Sequence, residues 1–269
     1  LEYDSLMTNK LRYSYIIGSG WWCGENQKSE NRVIFGDDSI RGKDFHKLWY
    51  ESVCKYTNPE KIIIIDSNSP IKPDLYKGDA RIEFLSFPLN AGHSTDHKGK
   101  YSGWMRSILL GLEYAYLSDT EYFVYVEQDA LLFGNNIVEK CIDKMTKPYM
   151  FGSGLGTKQP LQQSFFIIRR DGMEKFIKRI QNISALDSKY SPEMKFTSAC
   201  TLLWYYMPEF LFDIRGFWRL VKLYTNCNYL PIGYGRKRPI DFNDDLFYFQ
   251  HGNKDELDQY FKLVSETHN

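Results

Sequence analysis

The stretch EYFVYVEQDALLF, residues 121–133, sets an aromatic, apolar run against two carboxylates two positions apart, Glu127 and Asp129. In a strand, residues i and i+2 point to the same side. The spacing therefore predicts paired carboxylates at a strand mouth. Burying a lone charge is costly, and two carboxylates on one side suit a hard divalent cation. Mg²⁺ or Mn²⁺ takes oxygen ligands and commonly shares them with substrate phosphates. The alternative is a strand end that carries two exposed acids by chance. Other polar groups stand at comparable places. Gly18, Ser19 and Gly20 read as a turn that lets backbone approach a ligand closely. Asp66 ends the run KIIIID, where Asp-Ser-Asn also suits a capped turn. Arg106 carries a planar guanidinium that matches a diphosphate or a carboxylate, or else a solvated helix face. Arg236, Lys237 and Arg238 sit together in GYGRKRP, and His251 follows the aromatic run LFYFQ.

These residues need elements to carry them. RYSYIIGSGWW (12–22) predicts a strand ending in the Gly-Ser-Gly turn. DFHKLWYESVCKY (44–56) has its apolar residues at helical spacing. KIIIID (61–66) predicts a strand buried on both faces, as in a parallel sheet, stopped by a Ser/Asn/Pro cluster. RIEFLSF (81–87) predicts a third strand. WMRSILLGLEYAY (104–116) predicts a helix, EYFVYVEQDALLF a fourth strand, and NNIVEKCIDKM (135–145) a short helix. This alternation predicts an α/β fold with an open, mixed, mostly parallel sheet flanked by helices. Such sheets bind ligands beyond the carboxyl ends of their strands, and the glycine turn, Asp66 and Glu127–Asp129 all fall there. In the second half, SFFIIRRDGMEKFIKRIQNI (164–183) predicts a strand and then a helix from about Asp171. A helix is expected over 197–206. A short helix, a strand and a basic loop follow over 216–239, then a strand before His251 and a terminal helix over 254–266. No repeat or linker divides the chain, so residues 1–269 are expected to form one domain.

Composition narrows the function. Hydrophobic residues make up 43% and charged residues 25% of the 269, as in ordinary soluble globular proteins. Lys+Arg and Asp+Glu both number 34. That balance argues against a nucleic-acid partner held by bulk charge. Five scattered cysteines with no CxxC pair disfavour a zinc site or a disulfide framework and suit a reducing compartment. No apolar run reaches the length of a transmembrane segment, and no signal peptide is read. The expected location is cytoplasmic, with a place peripheral to a membrane left open. The aromatic share of 16% suits a core or a sugar-stacking surface, with Trp204, Tyr205, Tyr206, Phe217 and Trp218 as candidates for the latter.

The order of these features is more telling than any one of them. A glycine-bearing segment follows strand one, and an acid follows strand two. Asn-x-Gly in NAGHSTDHKGKYSG comes next, then an amphipathic helix with an arginine, then acid-x-acid after strand four. Over roughly residues 12–170 this order resembles the GT-A class of nucleotide-sugar-dependent glycosyltransferases, and EQD resembles a variant of that class's Asp-x-Asp motif. The resemblance implies a nucleotide-sugar-binding half over about 12–150, and an acceptor-binding half with a C-terminal lid over about 151–269. It implies Mn²⁺ or Mg²⁺ on Asp129, with His251 completing the metal shell and Glu127 on metal or ribose. Gly18, Ser19 and Gly20 would border the nucleotide, and Asp66 would accept from its base or ribose. Asn90, Arg106 and Gln128 would complete that pocket. Gln163, with Gln162, would meet the donor sugar, and Arg236, Lys237 and Arg238 would close over the diphosphate. Glu193 or Asp187 stands where inverting members carry the base that deprotonates the acceptor hydroxyl.

The implied activity is transfer of a sugar from a nucleotide-diphosphate-sugar donor to a hydroxyl of a glycan or other acceptor. Two other readings compete. A sugar nucleotidyltransferase would need a small, basic loop where Trp21 and Trp22 stand. A non-catalytic carbohydrate-binding protein on the same fold would have no use for Asp129 and His251.

Overall fold

The computed structural model describes residues 12–24, 36–94, 97, 99–154, 160–203, 208, 210–211, 214, 217–235 and 238–266. The first half contains β1 (Tyr15–Trp21), α1 (Phe45–Tyr56), β2 (Lys61–Asp66), β3 (Ile82–Ser86), α2 (Gly103–Leu117), β4 (Tyr122–Val126), β5 (Ala130–Phe133) and α3 (Ile137–Ile142). The second half contains β6 (Tyr149–Ser153), β7 (Leu161–Arg169), α4 (Arg170–Asn182), α5 (Pro192–Ala199), α6 (Phe217–Leu223), β8 (Asn228–Tyr229), β9 (Gly233–Gly235), β10 (Phe247–Gln250) and α7 (Lys254–Glu266). Seven strands form one sheet in the order β3-β2-β1-β4-β7-β6-β8, and β5, β10 and β9 form a smaller one. β3, β2, β1 and β4 run parallel to one another, β7 runs antiparallel to β4 and β6, and β8 is parallel to β6. The result is the mixed, mostly parallel α/β sheet that the alternation predicts.

Side-chain alternation builds a core on each face of that sheet. Ile62 and Ile64 of β2 join one cluster, Ile63 and Ile65 the other. Val124 and Val126 of β4 go with the first pair, Phe123 and Tyr125 with the second. α1 covers the first face through Phe45, Trp49, Val53 and Tyr56, helped by α3, α7 and the small sheet. α2 covers the second through Met105, Ile108, Leu112 and Ala115, beside Met173, Phe176 and Ile180 of α4. Each fully buried Ile or Phe contributes about 1.5–3 kcal/mol, so the central strands β2, β1, β4 and β7 carry most of the core.

Three expectations change. Gly18–Gly20 is not a turn; it lies inside β1, paired with Ile63–Ile65. The reason is packing: a Cβ at Gly18 would lie 2.7 Å from the Phe123 ring, and one at Gly20 would lie 2.3 Å from Ser107 Oγ on α2. These glycines bring α2 and its neighbours onto the strand. The fourth strand is two strands, broken at Glu127–Asp129. The helix expected over 197–206 begins at Pro192, the favoured first-turn position for proline, and ends at Ala199. β6 was not foreseen. Trp204, Tyr205, Tyr206, Arg236 and Lys237 lie outside the described residues, as do the side chains of Phe217 and Trp218.

Candidate functional site

At the carboxyl edge of the sheet, Glu127 to Ala130 form a tight turn closed by Ala130 N donating to Glu127 O at 2.9 Å. The two acids thus sit in a turn and not in a strand, so i, i+2 strand geometry does not set their directions. Each instead meets a residue at the end of β10. β5 and β10 pair antiparallel with Ala130 opposite Gln250, so the turn on one strand meets the residues that end the other. Gln250 Nε2 donates to Glu127 Oε2 at 2.6 Å. Asp129 Oδ2 lies 3.3 Å from His251 Nε2. Ser164 is bonded through its hydroxyl to Gln250 Oε1 and accepts Glu127 N at its carbonyl at 2.8 Å. Asp129 is 8% exposed, and among the described residues its Oδ1 has no hydrogen-bond partner. Gln250 and Ser164 were not singled out in the sequence. The only signal available was a glutamine standing next to the histidine at the end of an otherwise apolar strand.

Gln128, expected at the nucleotide, is bonded to the end of β1. Its amide accepts Trp22 N at 2.7 Å and donates to Trp22 O at 3.1 Å, continuing β1 toward the turn as a strand neighbour would. Gln163 is buried in β7 with its amide nitrogen unpartnered. It lies where the pairing with β6 shifts register: Phe151 pairs with Phe166 but Gly152 with Gln162. A bulge of this kind re-aims side chains.

Asp66 is fully buried at the end of β2. It accepts Ser69 N at 3.0 Å and Ser86 Oγ at 2.6 Å, and it pairs with Lys72. Burial pushes its pKa up, but Lys72, Ser69 and Ser86 outweigh that and hold the carboxyl below its usual range. Its acceptors serve the loop after β2 and the end of β3. Asn90 is exposed and accepts Gly92 N at 2.8 Å. Arg106 is anchored through Nε to Tyr101 O at 3.1 Å. Ser19 is buried with its hydroxyl unpartnered.

The two base candidates part company. Asp187 is buried, 2.7 Å from Lys195 Nζ, with both side chains 0% exposed. Its other oxygen accepts the backbone N of Ser102, the residue that caps α2, at 2.7 Å. This carboxylate is a strap between α5 and the start of α2, with both oxygens engaged. Glu193 occupies the first turn of α5 and is partly exposed. Arg238, expected over the diphosphate, is held beside the end of β10. Its guanidinium donates to the carbonyls of Gln250 and His251 and pairs with Glu256.

Among the described residues no cluster of three or more His, Cys, Asp or Glu side chains converges as a metal cage. Asp129 and His251 nevertheless fit a cation that keeps waters and substrate phosphates in its shell, because such an ion needs only one or two protein groups. The fit rests on the buried, unpartnered Oδ1 of Asp129 beside an imidazole nitrogen.

No family model and no curated protein matches the chain. Solved structures that align with it include S. aureus TarS 1–349 in complex with UDP, 12% identical with a TM-score of 0.42, covering 69% of this chain and 54% of that one. They also include the galactosyltransferase LgtC in complex with donor and acceptor sugar analogues, 10% identical with a TM-score of 0.48, covering 94% and 95%. A third is the mannosyltransferase PcManGT from Pyrobaculum calidifontis in complex with GDP-Man and Mn²⁺, 9% identical with a TM-score of 0.45, covering 82% and 56%. The chain spans about half the length of the TarS fragment. No helix among the described residues is long and apolar enough to cross a membrane.

Proposed function

We propose that this chain is a metal-dependent glycosyltransferase of the GT-A type, moving a sugar from a nucleotide-diphosphate donor to a hydroxyl acceptor. The observation that carries the reading is the Asp129–His251 pair, a buried carboxylate with an unpartnered oxygen beside an imidazole. It stands at the carboxyl edge of a largely parallel sheet, where such folds bind ligands.

Asp129 and His251 would hold Mn²⁺ or Mg²⁺. Bound there, the cation supplies positive charge to the diphosphate leaving group. The remaining work belongs to the chain. Gln250 and Ser164 hold Glu127, and Gln128 holds Trp22, so the turn bearing Asp129 is fixed before a donor arrives. Such preorganisation is what makes electrostatic stabilisation effective in the transition state. Gln163, whose buried amide nitrogen has no hydrogen-bond partner among the described residues, would meet the donor sugar. Arg106, with Arg236 and Lys237, balances diphosphate charge, while Arg238 acts through the backbone of His251. Ser19, Gly20 and Asn90 line the nucleotide side, and Asp66 shapes the loop beside them. Glu193 is the carboxylate left to deprotonate the acceptor hydroxyl, since Asp187 is committed to Lys195 and Ser102.

The test is hydrolysis of a panel of UDP-, GDP-, CMP- and dTDP-sugars with Mn²⁺, with EDTA, and with Asp129→Ala. The expected result is slow, metal-dependent hydrolysis of one donor, lost in the variant. Hydrolysis that survives both EDTA and the substitution removes Asp129 from the metal. No turnover with any donor, together with no nucleotide-induced rise in Tm, turns the reading to a carbohydrate-binding protein.

A further inference from the structure

His251 holds its side chain beside Asp129 from a left-handed backbone, with φ at 58°. Non-glycine residues keep that conformation only where their surroundings impose it. Here the surroundings are specific. Asp37 N donates to Gly252 O at 2.8 Å on one side. On the other, Arg238 Nη2 donates to Gln250 O at 3.0 Å and to His251 O at 3.3 Å. Glu256 then locks the arginine: its Oε1 lies 2.5 Å from Arg238 Nε, and its Oε2 accepts Nη2 at 3.1 Å. The same Oε2 accepts Asn253 N at 3.0 Å, while Asn253 Oδ1 accepts Glu256 N at 2.9 Å. That is a capping box at the start of α7. One planar guanidinium therefore joins the carbonyls around the imidazole to the first turn of a thirteen-residue helix.

We infer that the Arg238–Glu256 pair is a positioning device for His251 and sets the affinity of the Asp129–His251 site for a divalent cation. The inference rests on the metal reading proposed above. Arg238 touches no reacting group; it acts by fixing the peptides on either side of residue 251. With the fork gone, the segment from 250 to 252 gains freedom and the imidazole leaves the carboxylate it faces. A lysine supplies a single point donor and cannot reproduce the forked geometry.

The test is Mn²⁺ binding to the full chain, read from the electron paramagnetic resonance signal of free Mn²⁺, with no nucleotide and no turnover involved. The proteins are the wild type, His251→Ala, Arg238→Ala, Arg238→Lys, Glu256→Gln and the Arg238→Ala/His251→Ala double variant. Removing the partners that orient a metal ligand typically weakens binding about 10–100-fold. Arg238→Ala and Glu256→Gln are each expected to weaken Mn²⁺ at least ~10-fold, with Arg238→Lys between them and wild type. Arg238→Ala adds nothing on top of His251→Ala, because the two act through one group. A merely structural arginine would lower Tm and leave Mn²⁺ affinity unchanged. Unchanged affinity in both Arg238→Ala and Glu256→Gln, while His251→Ala loses it, overturns the inference and leaves the metal reading standing. A wild type that binds no Mn²⁺, or a His251→Ala that binds it as well as wild type, overturns both. Should Arg238→Ala fail to fold, Glu256→Gln decides, since it keeps the length of the side chain and its cap on α7.

Discussion

Asp187 and Lys195 offer a direct separation of structure from catalysis. Both side chains are fully buried, 2.7 Å apart. Lys195 also donates to Lys100 O at 3.0 Å and lies over the Tyr101 ring, 5.4 Å from its centroid. Burial lowers the lysine pKa, and the Asp187 carboxylate beside it opposes that shift. Removing one partner leaves a charge in the core with nothing to balance it, which costs about 3–5 kcal/mol. At roughly 2–4 °C per kcal/mol for a large domain, Lys195→Met should lower Tm by about 6–20 °C. Asp187→Asn should fall in the same range, even though its amide oxygen still accepts Ser102 N. The double variant Asp187→Leu/Lys195→Met removes both charges and should recover part of the loss, limited by the orphaned Ser102 N at ~1–3 kcal/mol. Circular dichroism melts of the four proteins measure this, and donor hydrolysis at a temperature where all are folded measures the rest. If Asp187→Asn keeps the wild-type Tm while acceptor-dependent turnover falls by two orders of magnitude or more, the strap is wrong and Asp187 is the base.

Glu193→Gln should leave folding stability within ~0.5 kcal/mol of wild type, as expected of a partly exposed position, and lower acceptor-dependent transfer far more than donor hydrolysis; equal loss in both reactions removes it as the base. His46 is 1% exposed, edge-on to Trp21, and burial lowers its pKa to about 4; the unfolded chain takes the proton first as pH falls below its ordinary value near 6.5. The stability it contributes is thus complete above about pH 6.5 and shrinks by up to ~3 kcal/mol toward pH 4, a dependence that His46→Phe should flatten in melts taken across that range. Gly20→Ala places a Cβ 2.3 Å from Ser107 Oγ and should cost ~1–3 kcal/mol by overpacking, read from urea unfolding; Ser107→Gly should relieve it. Glu127→Asp shortens the side chain that reaches Gln250 and should raise the Mn²⁺ requirement for donor hydrolysis severalfold, and no change would mean that the Gln250 contact does not hold the turn.

The architecture was legible because its causes are local. An Ile run buried on both faces, helices with one apolar stripe and polar groups at strand ends each follow from spacing, and together they imply a parallel sheet with its site at one edge. What could not be read has tertiary causes. Residues 121–133 look like one strand because apolar residues flank the acids on both sides. The break appears only when β5 pairs with β10, far along the chain. Gly18 and Gly20 look like a turn, but the ring of Phe123 and the hydroxyl of Ser107 require them. Lys195 looks like a surface lysine, since lysines are rarely buried unless paired, and nothing local marks Asp187 as its partner.

The register between β5 and β10 explains why a glutamate can begin the acid-x-acid turn. With Ala130 opposite Gln250, the residues just beyond the rung are Asp129 on one strand and His251 on the other, and these two meet at 3.3 Å. Glu127 lies at the far end of the turn and must reach across it to touch β10. Its extra methylene, relative to aspartate, spans that distance to Gln250 at 2.6 Å. The side-chain period of a strand is two, so a slip of one residue would move each side chain of β10 to the other face of the small sheet. The pairing is held against slippage by Phe247 stacked on Phe133 at 4.9 Å and by Arg238 on the carbonyls of Gln250 and His251. The two acids thus differ in their contacts: Glu127 ties the turn to β10, and Asp129 has one buried oxygen without a hydrogen-bond partner among the described residues.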